Sequence, residues 1–309
     1  MKVLKFDKSK IPDWNQFVTN SKNGIFLFNR SYMDYHEDRF KDHSLMVFNK
    51  NKLIALLPAN EKDEMIYSHA GLTFGGLIMS YELKAKEVLL IFNAIIDYYK
   101  SLGFKEWIYK AIPFVFHKYP SQEDLYAIFR CNADLYRRDI SSVISLSEPI
   151  RFSESKRQSV HKCFQAGIEV AENNNFSDYW QLLQSVLSKF KTTPVHSLKE
   201  IYHLKEKFPE KIRLFEARQN DNLLAGVVIY DYGNCVHTQY MANSEEGRKT
   251  GTLDFINAKL ITLFKERKYY SFGISTEQEG AYLNEGLLQQ KELMGGRAVV
   301  NDFYKIKLI

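Results

Sequence analysis

The chain is poor in the patterns that mark several large function classes. It has 3 cysteines in 309 residues, at positions 131, 163 and 235. They are too few and too far apart for a disulfide-stapled scaffold or a zinc cluster. The 8 histidines show no close metal-ligand spacing either, so no metal is expected. No apolar run reaches the ~20 residues that a bilayer crossing needs; the longest, Val88–Tyr99, is interrupted by Asn93 and Asp97. The first ten residues alternate charged and apolar types and lack a signal-peptide core. A cytoplasmic protein with reduced thiols is the expectation. Gly-x-Ser-x-Gly, Gly-x-Gly-x-x-Gly after a strand and the Walker loop are all absent. The net charge is only +5, with Lys and Arg spread along the chain. Such a field suits an anionic cofactor or a nucleotide-linked substrate; nucleic acid usually requires a concentrated basic stripe.

What is present is an ordinary globular composition, 45% hydrophobic and 26% charged, with 22 Phe and 19 Tyr. This length suits two domains. One order of elements occurs twice. In the first half, strands Ser44–Phe48 and Leu53–Pro58 form a hairpin and Met65–His69 adds a strand. A glycine-rich turn, Ala70–Leu77, leads to helix Leu83–Ser101, strand Glu106–Ala111, helix Gln122–Arg130 and strand Leu135–Leu146. In the second half, strands Ile212–Ala217, Leu223–Tyr230 and Cys235–Ala242 precede the turn Glu246–Gly251. Helix Leu253–Arg267, strand Tyr269–Gly273, helix Glu279–Glu292 and strand Ala298–Leu308 follow. These periodicities give an α/β (α+β) protein of two similar units, 1–148 and 149–309, divided near Pro149. A helix over Ser153–Ala166, capped by Ser153 and ended by Gly167, carries Lys156, Arg157, His161 and Lys162 on one side. That side is either a solvated face or part of a site.

Three stretches carry a resemblance to a known family. They are Lys156–Lys162 followed by Gly167; Tyr240-Met241-Ala242 with Gly247 and Gly251; and Phe272-Gly273-Ile274-Ser275 with Lys291, Gly295 and Gly296. In this order the chain resembles tandem-GNAT acyltransferases of the FemAB-like and BioF2-like group. The resemblance implies two GNAT-like units, each a mixed, mostly antiparallel sheet flanked by helices. It also implies an acyl-CoA-dependent N-acyltransferase, with acetyl-CoA or another acyl-CoA as cofactor. The acceptor would be an amine of a small or nucleotide-linked molecule, such as an amino sugar of a cell-envelope polysaccharide. A FemAB-type aminoacyl-tRNA-dependent transferase is the alternative, and a non-catalytic binding protein on the same fold is a third reading. The long helical arm of the large tRNA-using members has no counterpart here.

The residues suggest where such chemistry would sit. Free N–H groups at a helix start attract phosphate, so the turn Asn243–Thr252 is the expected cofactor site. Its candidates are Met241, Ala242, Gly247, Arg248, Lys249, Thr250, Gly251 and Thr252. The first-half turn has no Arg or Lys, which assigns the cofactor to the second unit and the acceptor to the first, with His69, Thr73 and Phe74 beside it. Strict alternation places Cys235, His237, Gln239 and Met241 on one face of their strand, and Val236, Thr238, Tyr240 and Ala242 on the other. His237 is a candidate base and Tyr240 a candidate proton donor to the leaving group; packing roles are the alternative for both. Asp302, on an apolar face with Tyr304, is either a base or the partner of a cation from the helix over 153–166. Arg157 and Tyr304 complete the substrate-side candidates.

Overall fold

The computed structural model describes residues 1–308. Its chain divides into two compact units. The first holds Met1–Asp139, Gln278–Ala281 and the residues from Val300 onward; the second holds Ile140–Glu277 and Tyr282–Val299. This differs from a linear division at 148/149, because the last strand, Arg297–Lys307, leaves the second unit after Val299. From Phe303 it pairs antiparallel with Glu106–Lys110 of the first.

In the first unit, strands Lys2–Lys5, Leu45–Asn49, Lys52–Leu57 and Ile78–Met79 form an antiparallel sheet. Strand Glu106–Lys110 pairs parallel with Met65–Tyr67 on its other side. Helix Ala85–Ser101 is opened by a capping interaction in which Glu87 reaches back to the Lys84 N–H. It buries Val88, Ile91, Phe92, Ile95 and Tyr99, a spacing of one helical face. Phe92 and Tyr99 pack on Trp107, whose indole N–H donates to Ser68 Oγ.

The second unit is built on the strand order Glu169–Asn173, Ile212–Gln219, Asn222–Asp231, Cys235–Asn243, Tyr269–Ile274 and the second half of Asp134–Ser145. Helix Thr252–Leu263 lies on this sheet and is itself covered by helix Glu154–Gln165. Its Phe255, Ile256 and Leu260 join Phe215, Val227, Ile229 and Val236 in one core. Helix Ser177–Ser188 also packs on strands Asn222–Asp231 and Cys235–Asn243, with the Tyr179 ring against Gly226.

Two sequence expectations are corrected at this level. The glycine segment of the second half is itself a helix, Glu245–Thr250, so the next helix begins at Thr252. The helix expected over Glu279–Glu292 starts only at Glu285, because a small hairpin, Thr276–Glu277 with Tyr282–Leu283, precedes it. Among the described residues no helix is long and apolar enough to cross a membrane, and no cluster of three or more His, Cys, Asp or Glu could hold a metal ion.

Candidate functional site

The second unit contains an interrupted strand pairing. Strands Cys235–Asn243 and Tyr269–Ile274 run parallel and pair from Cys235 with Tyr269 to His237 with Ser271. Beyond that point Cys235–Asn243 continues on Asn222–Asp231, and Tyr269–Ile274 continues on Ser141–Ser145. The two strands part, and backbone polar groups on their facing edges lose a ladder partner. Both carry a bulge here. In the first, Tyr240 opposes Val228 and Thr238 opposes Ile229, leaving Gln239 as the extra residue. In the second, the register slips between Ser271 and Gly273, and Gly273 takes a φ of 75°. A bulge re-aims every side chain beyond it.

The bulge corrects the expected faces. His237 opposes Tyr230 and Tyr240 opposes Val228, residues of equal parity on a regular strand, so His237 and Tyr240 share a face. Met241 instead opposes Val227 and joins Thr238 and Val236 on the face of helix Thr252–Leu263. The Gln239 side-chain oxygen is buried, with no hydrogen-bond partner among the described residues.

The His237 ring lies over this junction. Its Nδ1 is 3.1 Å from Ser271 Oγ, which accepts the Gly273 N–H at 3.3 Å. Burial, and then the nearby Lys291 charge, lower the His237 pKa to about 4, so the ring is neutral at physiological pH. Lys291 is itself buried. Its Nζ donates to Gly273 O, Ile274 O and Ser275 Oγ at 3.0, 2.6 and 2.9 Å, and burial lowers its pKa to about 8. Tyr240 Oη lies 2.6 Å from His196 Nδ1, and Trp180 packs edge-on against the phenol. His196 was not among the sequence candidates. Its only sequence signal is the adjacent Ser197-x-x-Glu200, a capping box that starts helix Leu198–Lys207. Cys235 is fully buried, and burial pushes its thiol pKa well up, which suits a core residue rather than a nucleophile.

The expected cofactor turn is occupied largely by the protein's own groups. Ser244 Oγ caps helix Glu245–Thr250 by accepting the Gly247 N–H. A Cβ on Gly247 would lie 2.1 Å from Leu224 O, so this glycine serves close helix–strand packing. Gly251, at φ 76°, faces Ser159 of helix Glu154–Gln165. Lys156 of that helix pairs with Asp254 at 2.8 Å, covering the start of helix Thr252–Leu263, where Thr252 is buried and bonds Thr250. Glu245 and Glu246 stand in the first turn, paired with Lys189 and Asn222, while Arg248 and Lys249 are exposed. Arg157 pairs with Glu154 on the solvated side of its own helix.

The first-unit candidates do not all face solvent. Thr73 is exposed, but Phe74 is buried against Phe116. His69 is buried at a φ of 52°, strained for a non-glycine residue, and its Nδ1 has no partner among the described residues. Burial, followed by the charges of His36, Lys110 and Arg30, pushes its pKa well down. Asp302 accepts a bidentate pair from Arg138, at 2.7 and 2.8 Å, and the Tyr304 hydroxyl at 3.1 Å. Its cation comes from strand Asp134–Ser145, not from the helix over 153–166. Burial and the Asp302 charge push Tyr304 up to about 12.

No family model and no curated protein matches this chain. Solved structures do. A FemX crystal structure aligns with 99% of this chain and 97% of its own at 9% identity and a TM-score of 0.70. The L-PGS structure from Bacillus licheniformis aligns over 97% and 92% at 12% identity and a TM-score of 0.64. A tandem GNAT protein from the clavulanic acid biosynthesis pathway aligns over 100% and 98% at 8% identity and a TM-score of 0.53. Likeness over whole chains at such low identity speaks for architecture alone, and the architecture is a FemX-like tandem GNAT fold.

Proposed function

We propose that the chain is an N-acyltransferase that moves an acyl group from acyl-CoA to an amine of a small or nucleotide-linked acceptor. The observation that carries this reading is the parting of strands Cys235–Asn243 and Tyr269–Ile274 after His237. An extended acyl thioester can lie along an edge whose N–H groups lack a ladder partner, and one of them can bond the carbonyl as negative charge develops on its oxygen. Holding the amine in line with that carbonyl supplies much of the acceleration. Neutral His237 and the Tyr240 phenol share the face beside this edge and are the candidate proton-handling groups. In this reading Arg248 and Lys249 meet the cofactor's phosphates.

The acidic first turn of helix Glu245–Thr250 favours a second donor. Two carboxylates repel a pyrophosphate, whereas an aminoacyl ester of tRNA requires no pyrophosphate there, and FemX is among the similar structures. Calorimetric titration with acetyl-CoA separates the two. Saturable binding supports the first reading; no heat and no thermal shift at millimolar acetyl-CoA, with salt-sensitive binding of aminoacyl-tRNA, supports the second. Failure to bind either leaves a binding protein on the same fold.

A further inference from the structure

We infer that His196 is the proton-accepting partner of Tyr240, so that the two form a relay whose phenol end meets the reacting amine. This inference rests on the acyl-transfer reading above and adds a residue and a direction of proton movement to it. His196 immediately precedes the capping box of helix Leu198–Lys207, in which Ser197 and Glu200 satisfy each other's backbone N–H groups. That cap fixes the backbone on which His196 stands. The His196 backbone N–H donates to Tyr240 Oη at 3.3 Å, and His196 Nδ1 lies 2.6 Å from the same oxygen. Since the phenol oxygen already accepts one N–H, its own proton is best placed on the short contact, donated to Nδ1. A neutral imidazole then carries its hydrogen on Nε2. Trp180, with its ring 5.3 Å away and nearly perpendicular, holds the phenol from the side. The bulge at Gln239 is what brings Tyr240 onto this face. Ionisable groups near the pair include Tyr179, whose pKa burial, and then Tyr240 and Glu216, push well up, and His237, which precedes Tyr240 on the same face.

The proton balance is simple. As the amine nitrogen bonds the acyl carbon, its N–H proton passes to Tyr240 Oη while the phenolic proton passes to His196 Nδ1, forming an imidazolium. When the bond from the acyl carbon to the leaving sulfur or oxygen breaks, the same path in reverse delivers one proton to the leaving atom. No net proton is gained or lost. Tyr240 is the group that would touch substrate; His196 acts through it and is a positioning residue.

Two measurements on the full chain test this. Long-range proton–nitrogen NMR of the His196 ring is expected to show Nε2 protonated in the wild type, with the Nδ1 resonance moving in Tyr240→Phe. A ring protonated on Nδ1, or one indifferent to Tyr240→Phe, overturns the inference whether or not the protein is active. Steady-state kinetics with the donor that binds then read the relay. His196→Gln and Tyr240→Phe are each expected to lower kcat about 100-fold, with the donor KM within about twofold and the acid limb of the wild-type kcat profile lost. Equal losses in kcat and KM affinity with an unchanged pH profile mark a merely structural pair and overturn the relay. An Nε2-protonated ring in a wild type that acylates no amine overturns the acyl-transfer reading, and the relay with it.

Discussion

Each unit fastens a glycine-bearing segment with a lysine, half-buried in the first and buried in the second, but the two lysines serve different segments. In the first unit Lys110 reaches His69 O, Ala70 O and Leu72 O, at 3.1, 3.4 and 2.7 Å, and so ties down the turn that leads away from strand Met65–Tyr67. In the second, Lys291 fastens the far end of strand Tyr269–Ile274, beside the bulge that lets the strands part. Both amines bond backbone carbonyls, and burial lowers both pKa values to about 8. The corresponding turn of the second unit is held by glycine packing and a serine cap instead, which leaves Arg248 and Lys249 at the surface. The first unit uses its cation internally, and the second keeps two outside. The same fold therefore separates a turn held by a lysine from one whose cations stand at the surface.

The largest effects should come from removing the fasteners. Lys110→Met leaves backbone carbonyls without a charged donor and should cost about 3 kcal/mol of stability. Hydrogen exchange should rise over 70–77. Lys291→Met should cost a similar amount but raise exchange over 273–275, and it alone should weaken donor binding. Equal exchange patterns in the two variants would break the comparison. Its pH dependence has a definite sign. Each amine falls from 10.5 unfolded to about 8 folded, so between those values the unfolded chain binds more protons and stability rises with pH. Denaturation midpoints at pH 8 and pH 10 should show that rise, and each methionine variant should lose its share.

Glycine packing is the next test. A Cβ at Gly75 would stand 2.0 Å from Ser68 O, and one at Gly247 would stand 2.1 Å from Leu224 O. Neither backbone oxygen can yield cheaply, so Gly75→Ala and Gly247→Ala should each cost about 2 kcal/mol. If Gly247→Ala is neutral in urea denaturation yet abolishes cofactor binding, the glycine serves the ligand and not the packing.

A smaller effect distinguishes the first turn. Tyr109 Oη accepts the Leu77 N–H and donates to Asp124 at 2.6 Å. Burial raises the Asp124 pKa to about 6. A raised carboxyl contributes stability that is present below the unfolded value of 3.8 and lost as pH climbs through about 6. Asp124→Asn keeps an acceptor for the tyrosine and removes the charge, so relative to wild type it should gain at pH 7 what it lacks at pH 4. A constant difference between the two pH values would remove Asp124 from this account.

Much of the architecture was legible because local signals agreed. Ser153 caps its helix through the Lys156 N–H, and Gly167 ends it at a φ of 69°. Gly233-Asn234 turns a hairpin, with Tyr232 N–H bonded to Cys235 O. The faces of strand Cys235–Asn243 were not legible, because both are largely buried. Where residues on both sides face protein, no polar alternation marks the slip at Gln239. Partners distant in sequence were equally hidden: Arg138 and Asp302 stand 164 positions apart, and nothing local to Asp302 distinguishes Arg138 from any other cation. His196 was missed for the same reason, since Tyr240 gives it meaning only across the fold.

The smallest expected effect bears on the open turn itself. Arg248 is exposed and near Glu245, whose pKa its charge helps to lower after the larger effect of Lys189. Removing a surface charge costs little stability, so Arg248→Ala should unfold at the wild-type denaturant concentration. If its role is to meet a phosphate, acyl-CoA affinity should fall about fivefold, the equivalent of roughly 1 kcal/mol, and the salt dependence of binding should flatten with it. Lys110→Met should do the opposite, destabilising the first unit while leaving acyl-CoA affinity where it was. Should Arg248→Ala bind acyl-CoA as tightly as wild type at every ionic strength, the exposed cations do not read phosphate. The glycines beside them are then packing devices like those of the first unit, and the donor must be held along the parted strands alone.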